Sequence, residues 1–245
     1  MENILRKMMQ SAGKVVDKVG GLGPQKKARS LDAKSEALAS SFPAENQVRK
    51  LVEILEQKEL AALLPNLAGK KVIQATTSTN RLWEGLQQKG ADFIIDLDMG
   101  NFEGNLSSTK PPKLQRIKGS LAKSPFPDQS MDYLLLLGAG IRRENPSLWM
   151  KEIARILKDN SRMILSFIHP FLEYQFHPGS GFTHRVDQYF MALKKAEIYV
   201  EDMKECLADD ALKSAIGAAK NDKNFAQLKD FPLLLIFKGI RLKRR

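Results

Sequence analysis

Beyond residue 70 the chain alternates short, uninterrupted apolar runs with stretches of helical periodicity. The runs are Val72-Ile73, Phe93-Ile94-Ile95, Tyr133-Leu134-Leu135-Leu136-Leu137 and Met163-Ile164-Leu165-Ser166-Phe167-Ile168, and the helical stretches lie around residues 81–89 and 147–158. A strand that is apolar at every position has no face for water, so it has to be covered on both sides. Alternation with helices supplies that cover and implies a parallel sheet. A last run, Phe231-Pro232-Leu233-Leu234-Leu235-Ile236-Phe237, follows a polar stretch and an alanine-rich helix expected over 210–220, and the tail after it is strongly basic. At 245 residues the chain fits one α/β core with additions.

The additions precede residue 67. Ile4, Leu5, Met8, Met9, Ala12, Val15, Val16 and Val19 recur at helical spacing, with Arg6, Lys7, Lys14 and Lys18 mainly on the other side, which reads as a basic amphipathic helix. Gly20-Gly21-Leu22-Gly23-Pro24 stops it, and residues 25–41 are polar and linker-like. A second helix is expected over 44–64, with Val48, Leu51, Val52, Leu55 and Leu60 on one face before Pro65 breaks it. The expected division is an N-terminal helical extension and linker over 1–66 and the α/β domain over 67–245.

A net charge of +11 predicts attraction to phosphates or anionic lipid at low salt. No zinc finger, RNP-type aromatic motif or arginine-rich recognition helix accompanies that charge, so no specific nucleic-acid partner is expected. Cys206 is the only cysteine, which excludes an intrachain disulfide and a zinc site built on several thiolates. No secretory apolar run opens the chain and no run of about twenty apolar residues spans a bilayer, so a cytoplasmic location is expected, with peripheral attachment to membrane as the alternative.

Three segments, in order, resemble class I S-adenosylmethionine (SAM) methyltransferases of the small-molecule type. Val72-Ile73-Gln74-Ala75-Thr76-Thr77-Ser78-Thr79-Asn80-Arg81-Leu82 stands where that family has a strand ending in Asp-x-Gly-x-Gly-x-Gly. Gly119-Ser120-Leu121-Ala122-Lys123-Ser124-Pro125-Phe126-Pro127-Asp128-Gln129-Ser130-Met131-Asp132-Tyr133 is close to Gly-Asp-Ala-x-x-Leu-Pro-Phe-x-Asp-x-Ser-Phe-Asp, and Lys151-Glu152-Ile153-Ala154-Arg155-Ile156-Leu157-Lys158 is similar to the helix and turn before the fifth strand. The resemblance implies an α/β, Rossmann-like methyltransferase fold: a mostly parallel seven-stranded sheet with an antiparallel C-terminal strand. It implies SAM as cofactor, held by residues at the positions of Gln74, Thr76, Ser78 and Asn80 in the first segment and Ser120 and Leu121 in the second. The acid that would hold the ribose hydroxyls is Asp98 or Asp96; they flank Leu97, and because side chains alternate along a strand, register decides between them.

The first segment departs from the pattern. Thr76, Ser78 and Asn80 replace glycines that let the backbone pass close to the cofactor, and Gln74 replaces an acid. SAM affinity is therefore expected to fall by about 1 to 3 kcal/mol, and glycine at 76 and 78 with aspartate at 74 is expected to restore it. Asp128 and Asp132 are expected to shape the turn into the fourth strand. Trp83 and Trp149 lie on predicted helices and read as core.

All three histidines follow the Met163-to-Ile168 apolar run, between positions 169 and 184, where the resembled family covers its substrate. His169 is the leading candidate base, with Tyr174, His177 and His184 as positioning groups. Their spacing and the surrounding prolines and glycines offer no regular metal scaffold, so no metal is expected. The function expected is methylation of an unidentified small molecule. The alternative is a catalytically inactive methyltransferase-fold scaffold that meets a protein partner or an anionic membrane surface through its basic N-terminal helix.

Overall fold

The apolar runs build the centre of a seven-stranded sheet. The computed structural model describes residues 45–77, 81–100, 113–138, 146–177, 184–209, 212–213 and 223–242, all within a compact unit running from Pro43 to Arg245. The basic helix expected over residues 4–19, its linker and most of the alanine-rich helix near 210–220 lie outside the described residues.

The strands are β1 (Lys71–Thr76), β2 (Phe93–Asp98), β3 (Leu114–Lys118), β4 (Met131–Gly138), β5 (Leu157–Ile168), β6 (Ile198–Leu207) and β7 (Pro232–Arg241), in the spatial order β3-β2-β1-β4-β5-β7-β6. Strands β1 to β5 pair in parallel, and β7 runs antiparallel to both β5 and β6. The expectation of a mostly parallel sheet with an antiparallel C-terminal strand holds.

Helices α1 (Glu45–Leu63), α2 (Trp83–Gln88), α3 (Pro146–Ile156), α4 (Pro170–Phe176), α5 (Val186–Lys195) and α6 (Lys223–Leu228) surround it. The amphipathic α3 and α5 turn Trp149, Met150, Ile153, Tyr189 and Leu193 onto the sheet face made by Ile73, Ala75, Leu134, Leu136, Leu165 and Phe237. Phe167 is the hub, stacking on Tyr189 with ring centres 4.3 Å apart and on Trp149 at 6.4 Å. Each such side chain contributes about 1.5 to 3 kcal/mol by burial, and an aromatic pair adds about 0.5 to 1.5 kcal/mol. The opposite face is covered at β5 and β7 by α1, which buries Val48, Val52, Leu55 and Leu60. Among the described residues no helix is long and apolar enough to cross a membrane.

Two polar ties fix elements near the ends of the parallel strands. Glu56 of α1 is fully buried, and its carboxyl is hydrogen-bonded to the Ser166 hydroxyl. That hydroxyl also lies 2.9 Å from the Leu136 carbonyl oxygen and accepts the Gly138 amide at 3.2 Å, joining α1 to the β4/β5 junction. On the other face Arg155 binds Glu152 at 2.6 Å, Asp128 at 2.5 Å and the Phe126 carbonyl at 2.7 Å, clamping the turn before β4. Asp132 enters β4 accepting the Lys71 amide at 2.9 Å and Lys158 at 2.7 Å. Asp128 and Asp132 thus hold the turn and the strand start.

Candidate functional site

Strand order reverses between β1 and β4, and a crevice outside the carboxyl ends of parallel strands forms at such a reversal. Strand β1 delivers Thr76 to this edge and β4 delivers Gly138. Gly138 is obligatory for close packing: a Cβ there would stand 2.0 Å from the Ser166 carbonyl oxygen.

Pairing settles the register that the sequence leaves open. Gln74 lies opposite Asp96 and Thr76 opposite Asp98, while Arg116 of β3 lies opposite Asp96. Laterally paired residues share a face, so Gln74, Thr76, Asp96, Asp98 and Arg116 all point the same way and Leu97 points into the core of the other face. Both acids share the face of Gln74 and Thr76.

Both are engaged by guanidinium groups. Arg81, which precedes α2, places its Nε 3.1 Å from Asp96 Oδ2 and its Nη2 3.5 Å from Asp98 Oδ2. Arg116 approaches the same oxygens at 2.9 and 3.9 Å. Side-chain exposure is 0% for Asp96, 5% for Arg81, 6% for Asp98 and 18% for Arg116. Buried charges have to be paired and hydrogen-bonded, and this cluster balances two of each sign. The Arg116 guanidinium also lies 5.7 Å from the centre of the Trp83 ring, so Trp83 backs the cluster while Trp149 is core.

Gln74 completes the arrangement through both ends of its amide. Its Nε2 donates to Asp96 Oδ1 at 3.3 Å and its Oε1 accepts the Leu82 amide at 2.8 Å. A carboxylate cannot donate, and aspartate here would face Asp96 with like charge. The gain expected from aspartate at 74 is therefore opposed by the loss of this donated bond. Asp98 Oδ1 accepts the Gly100 amide at 3.0 Å, and a Cβ on Gly100 would meet the Thr77 carbonyl oxygen at 2.7 Å. Thr76 is fully buried, and Ser78 and Asn80 lie outside the described residues.

The second segment divides. Ser120 is exposed at the end of β3, where its hydroxyl accepts the Ala122 amide at 3.2 Å. Leu121 is buried in the core cluster, so its side chain does not line the crevice as expected.

The histidines do not converge. His169, 2% exposed, caps α4: its Nδ1 accepts the Phe171 amide at 3.3 Å, which assigns the proton to Nε2, 3.3 Å from Glu205 Oε1. Its hydrogen bond holds the Glu205 carboxyl below the usual range, against the opposing effect of burial. Both ring nitrogens are thus engaged, and His169 caps α4. His177 lies 3.8 Å from Glu45 of α1, His184 meets the Tyr189 ring edge-on at 5.8 Å, and Tyr174 is on the exposed side of α4. Among the described residues no group of three His, Cys, Asp or Glu side chains is placed to hold a metal.

No family model and no curated protein sequence matches the chain. Solved structures do. An S-adenosylmethionine-dependent methyltransferase from Mesorhizobium loti superposes with a TM-score of 0.61 at 16% identity, over 76% of this chain and 98% of that one. The YcgJ protein of Bacillus subtilis matches at 0.54 and 14% identity, over 77% of this chain and 99% of its own. Geranyl diphosphate C-methyltransferase from Streptomyces coelicolor, solved with Mg2+, geranyl diphosphate and S-adenosylhomocysteine, matches at 0.56 and 8% identity, over 76% of this chain and 79% of its own. At these identities the likeness is one of fold: the chain has the Rossmann-like fold of SAM-dependent methyltransferases.

Proposed function

We propose that this chain is a SAM-dependent methyltransferase-like protein that acts on a small molecule and holds its cofactor weakly. The observation that supports this reading is the position of Asp98, which ends β2 level with Thr76 at the strand-order reversal, the place where the resembled family holds the ribose hydroxyls. The residues fit the cofactor there with competition. The two guanidinium contacts to Asp98 Oδ2, at 3.5 and 3.9 Å, are longer than the roughly 2.7 to 2.9 Å of strong charge-assisted bonds. A ribose hydroxyl can displace them, whereas Asp96 stays committed. Asp98 would hold the ribose, the exposed Ser120 hydroxyl stands where an acid would accept the adenine amino group, and the Thr76 and Gly138 backbones wall the crevice. Bound SAM supplies an electrophilic methyl group. Tyr174 and His177, on and after α4, are the groups left to orient an acceptor.

The internal ion pairs also favour a second reading, a methyltransferase-fold protein without catalysis that docks on a protein partner or an anionic membrane. Calorimetry with SAM and S-adenosylhomocysteine on the intact chain separates the two. Dissociation constants about ten- to a hundredfold above micromolar support the first reading, with Thr76→Gly/Ser78→Gly binding more tightly. Micromolar or tighter binding by the natural chain refutes weakened affinity. No binding by either form leaves the scaffold reading, and liposome co-sedimentation with and without residues 1–24 then tests the membrane as its target.

A further inference from the structure

We infer that Arg81 is an internal ligand of the crevice acids: its guanidinium stands in for a ribose diol at Asp98, and cofactor entry displaces it. The inference rests on the proposed function, because it takes that crevice as the nucleoside site. It is carried by an asymmetry within the cluster. Asp96 is gripped by Arg81 Nε at 3.1 Å, Arg116 Nε at 2.9 Å and Gln74 Nε2 at 3.3 Å, so both arginines hold the inner acid more closely than the outer one. Asp98 keeps one short bond, from the Gly100 amide to Oδ1, and its Oδ2 receives only the long contacts of 3.5 and 3.9 Å. One oxygen is thus exchangeable while the rest of the cluster holds. Arg81 can give up Asp98 and remain anchored on Asp96, so displacement strands no charge.

The experiment compares adenosine with 2′,3′-dideoxyadenosine, and S-adenosylhomocysteine beside them, by calorimetry on the full chain and on Arg81→Gln. That change removes the 3.5 Å contact to Asp98 and leaves Asp96 paired with Arg116 at 2.9 Å. The natural chain is expected to prefer adenosine by no more than about twofold, because Asp98 is already occupied. The variant is expected to prefer it by about tenfold or more and to bind S-adenosylhomocysteine about tenfold more tightly. If Arg81→Gln does not fold, Asp98→Asn in the natural chain carries the test: adenosine affinity is expected to stay within about twofold, whereas a tenfold loss would show that Asp98 is already open. A natural chain that prefers the diol tenfold, or an Arg81→Gln variant that gains nothing while the natural chain binds, overturns the inference alone. Absence of all nucleoside binding in both forms overturns it together with the functional reading.

Discussion

Truncating Asp96 to alanine should be among the most damaging single changes in the sheet. Its carboxylate is fully buried and receives Arg81 at 3.1 Å, Arg116 at 2.9 Å and the Gln74 amide at 3.3 Å. Without it two largely buried guanidinium groups retain one carboxylate, Asp98, at 3.5 and 3.9 Å. Removing one partner of a buried pair costs about 3 to 5 kcal/mol, because the remaining charge is left uncompensated. With a urea slope of about 1 to 3 kcal/mol per molar, Asp96→Ala should lower the unfolding midpoint by about 1 M or more. Urea unfolding followed by far-UV circular dichroism reads this directly. The coupling should also be visible in a double-mutant cycle with Arg81→Met, whose interaction energy should be about 1 to 3 kcal/mol. A cost for Asp96→Ala below about 1 kcal/mol, with no coupling to Arg81, would refute the reasoning that the cluster is buried and mutually dependent.

Gly138→Ala should destabilise by about 1 to 3 kcal/mol in thermal unfolding, since its Cβ would lie 2.0 Å from the Ser166 carbonyl oxygen; an unchanged midpoint would contradict that packing. Cys206 is 3% exposed and its thiol is pushed up to about 12, mainly by burial and then by Glu59, so Ellman's reagent should react only as the protein unfolds. Hydrogen bonding from Arg155 holds the Glu152 carboxyl below its ordinary 4.5 despite burial. A lowered folded-state value means stabilisation that is present above about pH 4.5 and lost as pH falls through the folded-state value, so Glu152→Gln should flatten the acid limb of stability against pH.

Legibility in the sequence followed burial. Strands β1, β2, β4 and β5 announce themselves because central parallel strands are apolar on both faces. Strands β3 and β6 are the two edges, and each carries charged, part-exposed residues such as Arg116, Lys118, Glu201 and Lys204. Their hydrophobic pattern is weak because half of each strand is wet. Neither stands out as an apolar run.

The candidate site divides in the same way. Asp96 and Asp98 are recognisable as acids ending a strand, but only pairing with β1 shows that both share the face of Gln74 and Thr76. Arg81 and Arg116 gave no signal, since they meet Asp96 across 15 and 20 residues of sequence through tertiary packing alone. His169 did carry one. A polar residue directly before proline at the start of a helix marks an N-cap with proline at the first helical position, and His169-Pro170 has that form. Leu121 misleads for the opposite reason: its neighbours match a ligand-binding segment, while its own apolar side chain is drawn into the core.

The proposed function requires a nucleoside-bearing cofactor at the carboxyl edge of β1, β2 and β3 beside Asp98. Hydrogen exchange of the full chain, with and without saturating S-adenosylhomocysteine, reads this out. Slowed exchange at the amides of Thr76, Thr77, Met99, Gly100 and Ser120 is expected. Unchanged exchange there at saturation, or protection confined to α1 or to β6 and β7, would contradict it.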